Sequence, residues 1–155
     1  VSHEIRPATP LDRDAFIRLW QELLKEREGF GSYIDANARS LQFYLALFDH
    51  YVSRPDGLVL VVGDGQGVLM WGVVPLPFAH HLGRFMQGWG VYLEPPLRRK
   101  GLGRELYRVG LKALHERGFD GLLGTFQPTN RAVVMLAEEF GAKVLEHTVW
   151  VPARP

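Results

Sequence analysis

Residues 93–104 read Leu93-Glu94-Pro95-Pro96-Leu97-Arg98-Arg99-Lys100-Gly101-Leu102-Gly103-Arg104, and the chain on either side is arranged around this stretch. Ahead of it, residues 85–93 form an apolar run of strand character. Behind it, Leu102, Leu106, Val109, Gly110, Ala113 and Leu114 recur at the spacing of one helix face. A glycine-punctuated turn from a strand into a helix gathers free backbone N–H groups at the positive end of the helix dipole, which suits an anion. Arg98, Arg99 and Lys100 stand directly before Gly101, where they add charge-assisted bonds to a polyanion such as a phosphate group. Gly101 lets the backbone approach that guest with no Cβ in the way, and Gly103 lets the first helical turn pack closely. The Walker spacing is absent, and the dinucleotide pattern G-x-G-x-x-G fails because Leu106 stands at its third glycine.

The pattern R-x-x-G-x-G, filled by Arg98, Gly101 and Gly103, resembles the acyl-CoA pyrophosphate loop of the GNAT superfamily of N-acetyltransferases. Val91-Tyr92-Leu93-Glu94-Pro95 is similar to the family's strand-then-proline entry to that loop. Ile5-Arg6-Pro7-Ala8-Thr9 with Asp12 and Asp14 is similar to its opening, and Asn130, Leu136 and Gly141 to its closing helix. These matches come in family order and span essentially the whole chain.

The resemblance implies an α/β (α+β) fold: a central mixed, mostly antiparallel sheet of about six strands with a splayed parallel pair, flanked by four helices. Acyl-CoA would lie in the V of the splayed pair. Backbone groups of Val91 and Leu93 would pair with the pantetheine amides. Arg98 and the amides of Arg99, Lys100, Gly101, Leu102, Gly103 and Arg104 would hold the pyrophosphate. Asn130 would bond the pantetheine arm, while its local sequence equally marks it as a helix cap. The implied chemistry is direct attack of an amine on the thioester of acetyl-CoA, with Glu94 as general base and His80, His81 and His147 as further candidates. Family members commonly carry a general-acid Tyr seven residues after the Asn; here that position is Ala137, leaving Tyr92 and Tyr107 as the hydroxyls that approach from elsewhere. A second departure is one strand after the fourth helix where the family has two.

Composition agrees with an ordinary globular chain. With 155 residues, 46% hydrophobic and 23% charged, one domain over 1–155 is expected to bury roughly 68 to 70% of its unfolded surface. Absence of cysteine excludes disulfides, thiolate metal sites and a Cys nucleophile. His80-His81 is the only close pair among the six histidines, and strand neighbours point to opposite faces, so no metal is expected. A net charge of +1 gives no general attraction to nucleic acid or to an anionic membrane. With no signal peptide and no long apolar stretch, a cytoplasmic location is expected. Two other classes compete with acyl transfer: a non-catalytic acyl-CoA sensor, and a nucleic-acid module that uses 98–104 as a phosphate clamp.

Along the chain, a strand over 3–8 leads to Thr9 as a helix cap, with Pro10 and Asp12 in the first turn and Phe16, Leu19, Trp20, Leu23 and Leu24 as the buried stripe. A second helix over 36–53 buries Leu41, Tyr44, Leu45, Phe48 and Val52. Strands over 58–62 and 68–76 flank the hairpin signal Gly63-Asp64-Gly65. Gly88-Trp89-Gly90 in the strand over 84–94 marks a bulge or a close backbone approach by another group. The helix over 102–117 stops at Gly118, a strand follows over 121–126, and this strand, helix and strand require a parallel pair. A helix over 131–140 and a last strand over 143–151 complete the chain. That strand leaves an apolar edge, Val149-Trp150-Val151, for which the expected cover is a second copy in a homodimer. Phe30, Tyr33, Trp71, Phe78, Phe85 and Trp89 disfavour a strongly cationic sugar and favour a small or aromatic amine as acceptor, the expected partner being a small-molecule or peptide amine.

Overall fold

Every residue of Gly57–Val62 and Gly67–Gly72 is buried, as in strands covered on both faces. The structure, a computed structural model, describes residues 3–29, 38–75, 82–127 and 129–144. Its strands are β1 (Ile5–Pro7), β2 (Gly57–Val62), β3 (Gly67–Gly72), β4 (Phe85–Leu93) and β5 (Gly121–Gly124). Its helices are α1 (Arg13–Gly29), α2 (Ala38–Tyr51), α3 (Leu102–Glu116) and α4 (Arg131–Glu139). The sheet runs β1-β2-β3-β4-β5 in chain order, antiparallel throughout except for the parallel pair β4 and β5.

Alternation along the central strands divides the core in two. Val59, Val61, Val68, Met70 and Tyr92 face Phe16, Trp20, Tyr44 and Phe48 of α1 and α2. Leu58, Leu60, Val62, Leu69 and Trp71 face Leu106 and Leu114 of α3 on the other side. Glycines set two of the closest approaches. A Cβ on Gly110 of α3 would lie 2.6 Å from the Trp71 ring, and one on Gly90 would lie 2.7 Å from Leu23.

The bulge falls where Gly88-Trp89-Gly90 places it. Met70 pairs with Gly90 but Trp71 pairs with Gly88, so Trp89 is the extra residue. A one-residue insertion reverses the faces of everything before it. Met86 therefore joins the α3-side core, while Trp89 packs against the α1 and α2 cluster. Pairing with β5 stops at the same point, covering Phe85 to Gly88 and Gly121 to Gly124. Beyond it, β4 continues with one neighbour among the described strands.

The remaining differences from the sequence reading have local causes. Pro10–Asp12 is a 3-10 turn that feeds α1, and Asp12 fixes it by accepting from the Thr9 N–H (2.8 Å) and Thr9 Oγ1 (3.0 Å). β3 ends at Gly72, before Pro75, which has no N–H for a ladder. β5 ends at Gly124 because β4 bulges away there. Gly118 (φ 72°) terminates α3 as expected, with the Phe119 N–H donating to the Leu114 carbonyl at 3.0 Å. Five strands are present among the described residues. The sixth was expected over 143–151; Lys143 and Val144 lie in no strand, and 145–151 are outside the described residues, as are the Val149-Trp150-Val151 edge, His80, His81 and His147.

Asp12 is buried and takes a bidentate ion pair from Arg6, at 2.7 and 2.9 Å. The Arg6 guanidinium, with the Thr9 donors, lowers the carboxyl from 3.8 to about 2 despite burial. A depressed carboxyl stabilises the fold above its unfolded value, and that contribution is lost as pH falls through the folded one. Acid unfolding should therefore show a loss of about 2 kcal/mol between roughly pH 4 and pH 2 that Asp12→Asn removes. Gly110→Ala gains about 1 kcal/mol of helix propensity but forces the Trp71 ring to shift, so thermal unfolding should show a net loss of about 1–2 kcal/mol.

Candidate functional site

Loop 94–101 is pinned from below by Leu97, which is buried at the end of the 3-10 turn Pro95–Leu97. Arg99 (φ 60°) and Gly101 (φ 80°) then take left-handed conformations. For Arg99 this costs about 1–2 kcal/mol, a local strain of the kind stored in ligand loops. The first bond of α3 runs from the Glu105 N–H to the Gly101 carbonyl at 3.0 Å. Before it, the N–H groups of Arg99, Lys100, Gly101, Leu102, Gly103 and Arg104 have no acceptor among the described residues, and no side chain caps the helix. Six consecutive acceptor-less donors thus lead into the positive end of a fifteen-residue helix.

Both glycines leave this cradle open. A Cβ on Gly101 would meet nothing within 4 Å, and one on Gly103 only Leu93 Cδ1 at 3.8 Å. The close packing expected of the first turn at Gly103 is therefore not there.

The expected cationic clamp divides. Arg98 points back into the protein: its Nε donates to the Leu93 carbonyl (2.7 Å), its Nη2 donates to Glu26 of α1 (2.6 Å), and its guanidinium lies 4.9 Å from the Tyr92 ring centre. Arg104 is held by Glu139 of α4, through contacts of 2.6 and 2.9 Å. Arg99 and Lys100 are exposed, with no ion-pair partner among the described residues. Glu94 is bound to Arg18 of α1, which also donates to the Gly65 carbonyl at 2.7 Å. That pairing, at the loop end of β4 and five positions from the bulge, favours a tether over a general base for Glu94.

Along β4 the backbone alternation is fixed by the Glu94 N–H, which donates to the Gln66 carbonyl at 3.0 Å. Tyr92 and Gly90 therefore turn their polar groups toward β3, and Val91 and Leu93 turn theirs to the open side. The Leu93 carbonyl is already taken by Arg98. Asn130 caps α4, its Oδ1 accepting from the Val133 N–H at 3.4 Å. Ala137 lies within α4, and Tyr107 stacks on Phe140 (6.1 Å) and meets Trp71 edge-on (5.6 Å). Burial raises the hydroxyl pKa values of both Tyr92 and Tyr107.

One group escaped the sequence reading. Phe43 of α2 is 52% exposed and meets the bulge residue Trp89 edge-on at 6.0 Å, with Tyr44 completing the cluster. Its signal was its place outside the helix's buried stripe.

Residues 17–142 match the model of the acetyltransferase (GNAT) family. The chain belongs to that family. Its fold is similar to AAC(6')-Iy in complex with the bisubstrate analog CoA-S-monomethyl-acetylneamine, at 11% identity and a TM-score of 0.72 over 100% of both chains. It is also similar to a putative acetyltransferase from Bacillus subtilis, at 15% identity and a TM-score of 0.73, covering 99% of this chain and 100% of that one. A ribosomal-protein-alanine N-acetyltransferase from Brucella melitensis biovar Abortus gives 18% identity and a TM-score of 0.66, with 99% and 100% covered. No curated protein matches the sequence. Among the described residues no helix is long and apolar enough to cross a membrane, and no group of three or more His, Asp or Glu could hold a metal.

The two arginines of the loop should respond differently to truncation. Arg98→Ala removes a carbonyl bond, an ion pair and a ring contact, and should lower the stability of the ligand-free protein by about 1–2 kcal/mol in urea unfolding. Arg99→Ala should leave it unchanged or slightly raised.

Proposed function

We propose that this GNAT chain is an acyl-CoA-dependent N-acetyltransferase that transfers the acetyl group of acetyl-CoA to an amine by direct attack. The six acceptor-less amides of 99–104, with no Cβ above Gly101, carry the reading: they fit the pyrophosphate of CoA. Arg99 and Lys100 add charge from the exposed side. Arg98 acts by holding the loop in shape, and Leu93 contributes its N–H while its carbonyl stays with Arg98. The outward groups of Val91 align the pantetheine arm, and the free end of the Asn130 amide bonds it from the other wall.

Acetyl-CoA supplies an activated thioester. The amine nitrogen forms a bond to the carbonyl carbon, the C–S bond breaks, the thiolate departs, and the amine proton passes to water. Outward backbone N–H groups at the bulge stabilise the carbonyl oxygen as charge builds on it. A thiolate of pKa near ~8.5 leaves without an acid, so Ala137 in place of a Tyr is compatible with turnover. The larger demand is a neutral nucleophile. An amine of pKa ~10 is about one part in a thousand neutral at pH 7, a deficit of about 4 kcal/mol. The place of action is taken to be the cytoplasm, and a net charge of +1 supports a small-molecule or peptide acceptor over nucleic acid.

Binding and turnover are tested separately. Saturating CoA, at about 100 times its Kd, should stabilise the fold by about 2.7 kcal/mol. Gly103→Asp should leave the ligand-free melting temperature nearly unchanged, and Gly101→Asp should lower it slightly; each should remove the CoA shift by placing a carboxylate in the cradle. An undiminished shift in both variants would remove the pyrophosphate assignment. Thiol release with an amine panel then separates a transferase from a sensor that binds without turnover.

A further inference from the structure

We infer that the acceptor is a monoamine carried on an aromatic or apolar body, seated on the surface that Phe43 and Trp89 present beside the β4 bulge. This rests on the acetyltransferase reading for the position of the acyl group. From Leu93 back to Trp89 is four residues, about 13 Å of strand, so an arm that starts at the loop and follows the open side of β4 ends near the bulge. The bulge is also what turns Trp89 toward α1 and α2.

The surface there is aromatic. Phe43 and Trp89 meet at 6.0 Å and 73°, Tyr44 and Trp89 at 6.4 Å and 74°, and Phe43 and Tyr44 at 5.3 Å. Phe43 keeps 52% of its surface in water, so an apolar body laid against it is favoured by burial as well as by ring contact.

Charge selects against a polycation. Glu22 is paired with Lys25, Glu26 with Arg98, Asp49 with Arg13 and Glu94 with Arg18, so these four carboxylates of the flanking elements each already have a cation beside them. Nearby cations add to this: Arg27 donates to the Tyr44 hydroxyl at 3.5 Å, and Arg39 stands one helical turn before Phe43 on α2. A diamine or polyamine finds like charge there. A single amine finds desolvation and like charge together, and both favour its neutral, nucleophilic form.

The test compares 2-phenylethylamine with putrescine, using acetyl-CoA and thiol release, and measures calorimetric binding of 2-phenylethylamine to the protein with and without CoA. The expected kcat/KM favours 2-phenylethylamine by about tenfold or more, and Phe43→Ala lowers it by about tenfold with the affinity for CoA unchanged. Phe43→Leu should recover part of that loss. A preference for putrescine, or a Phe43→Ala variant as active on 2-phenylethylamine as the parent, overturns the proposal. If CoA binds but no amine is turned over, Phe43-dependent binding of 2-phenylethylamine still supports this seat while the transferase reading fails. Absence of such binding sinks the seat itself.

Discussion

One extra residue in β4 separates two kinds of strand. Before it, Phe85 to Gly88 pair with β5, and Gln87 and Gly88 pair with β3 as well. After Trp89 the strand is paired with β3 alone, and the backbone groups of Val91 and Leu93 face away from that partner. Unsatisfied backbone groups on a strand are an invitation to another chain or ligand, and here, the Leu93 carbonyl held by Arg98 apart, they follow the point where the pairing of β4 with β5 ends. The same insertion sends Met86 to one core and Trp89 to the other, so it sets the packing on both faces as well as the opening between β4 and β5.

In the proposed reading, an anion at the loop would be held by fixed dipoles more than by mobile charges. Exposed cations such as Arg99 and Lys100 are screened by salt and lose side-chain entropy on ordering. The six amides are held in place before any ligand arrives, by the buried Leu97, by the left-handed turns at Arg99 and Gly101, and by Arg98. Arg98 is the cation nearest to a motif function, and the structure uses it as a brace. Preorganisation of this kind lowers what binding must spend on ordering.

How much of this was legible in the sequence follows from the range of the interactions. The loop, the bulge and the Thr9 and Asn130 caps are local, set by glycine, proline and polar side chains within a few residues, and they were found where the sequence placed them. The pairings of Glu94 with Arg18, Arg98 with Glu26 and Arg104 with Glu139 cross 76, 72 and 35 residues, and no local pattern announces them. That is why three residues read as candidates for the site proved to have protein partners. Gly103 differs from its reading for a related reason: a missing Cβ has the same sequence signature whether or not a neighbour needs the space, and here a Cβ would meet only Leu93 at 3.8 Å. Phe43 sat off the helical stripe, which marked it as exposed without saying what stood beside it.

The two walls of the V are built to different standards. The β4 wall is braced to α1 by Arg18 and Arg98 and backed by Trp20, Leu23 and Tyr92, all buried. The β5 wall is shorter, and α4 beyond it has no buried residue, being joined to α3 by the Arg104–Glu139 ion pair and the contact of Tyr107 with Phe140. Exposed ion pairs contribute little, so among the described residues α4 is held mainly by partial apolar contact, which is weaker than the packing of the central sheet. A ligand spanning both walls would gain its geometric precision from β4 and the loop. On the α4 side, where Asn130 stands, it would add order that the described residues alone do not supply.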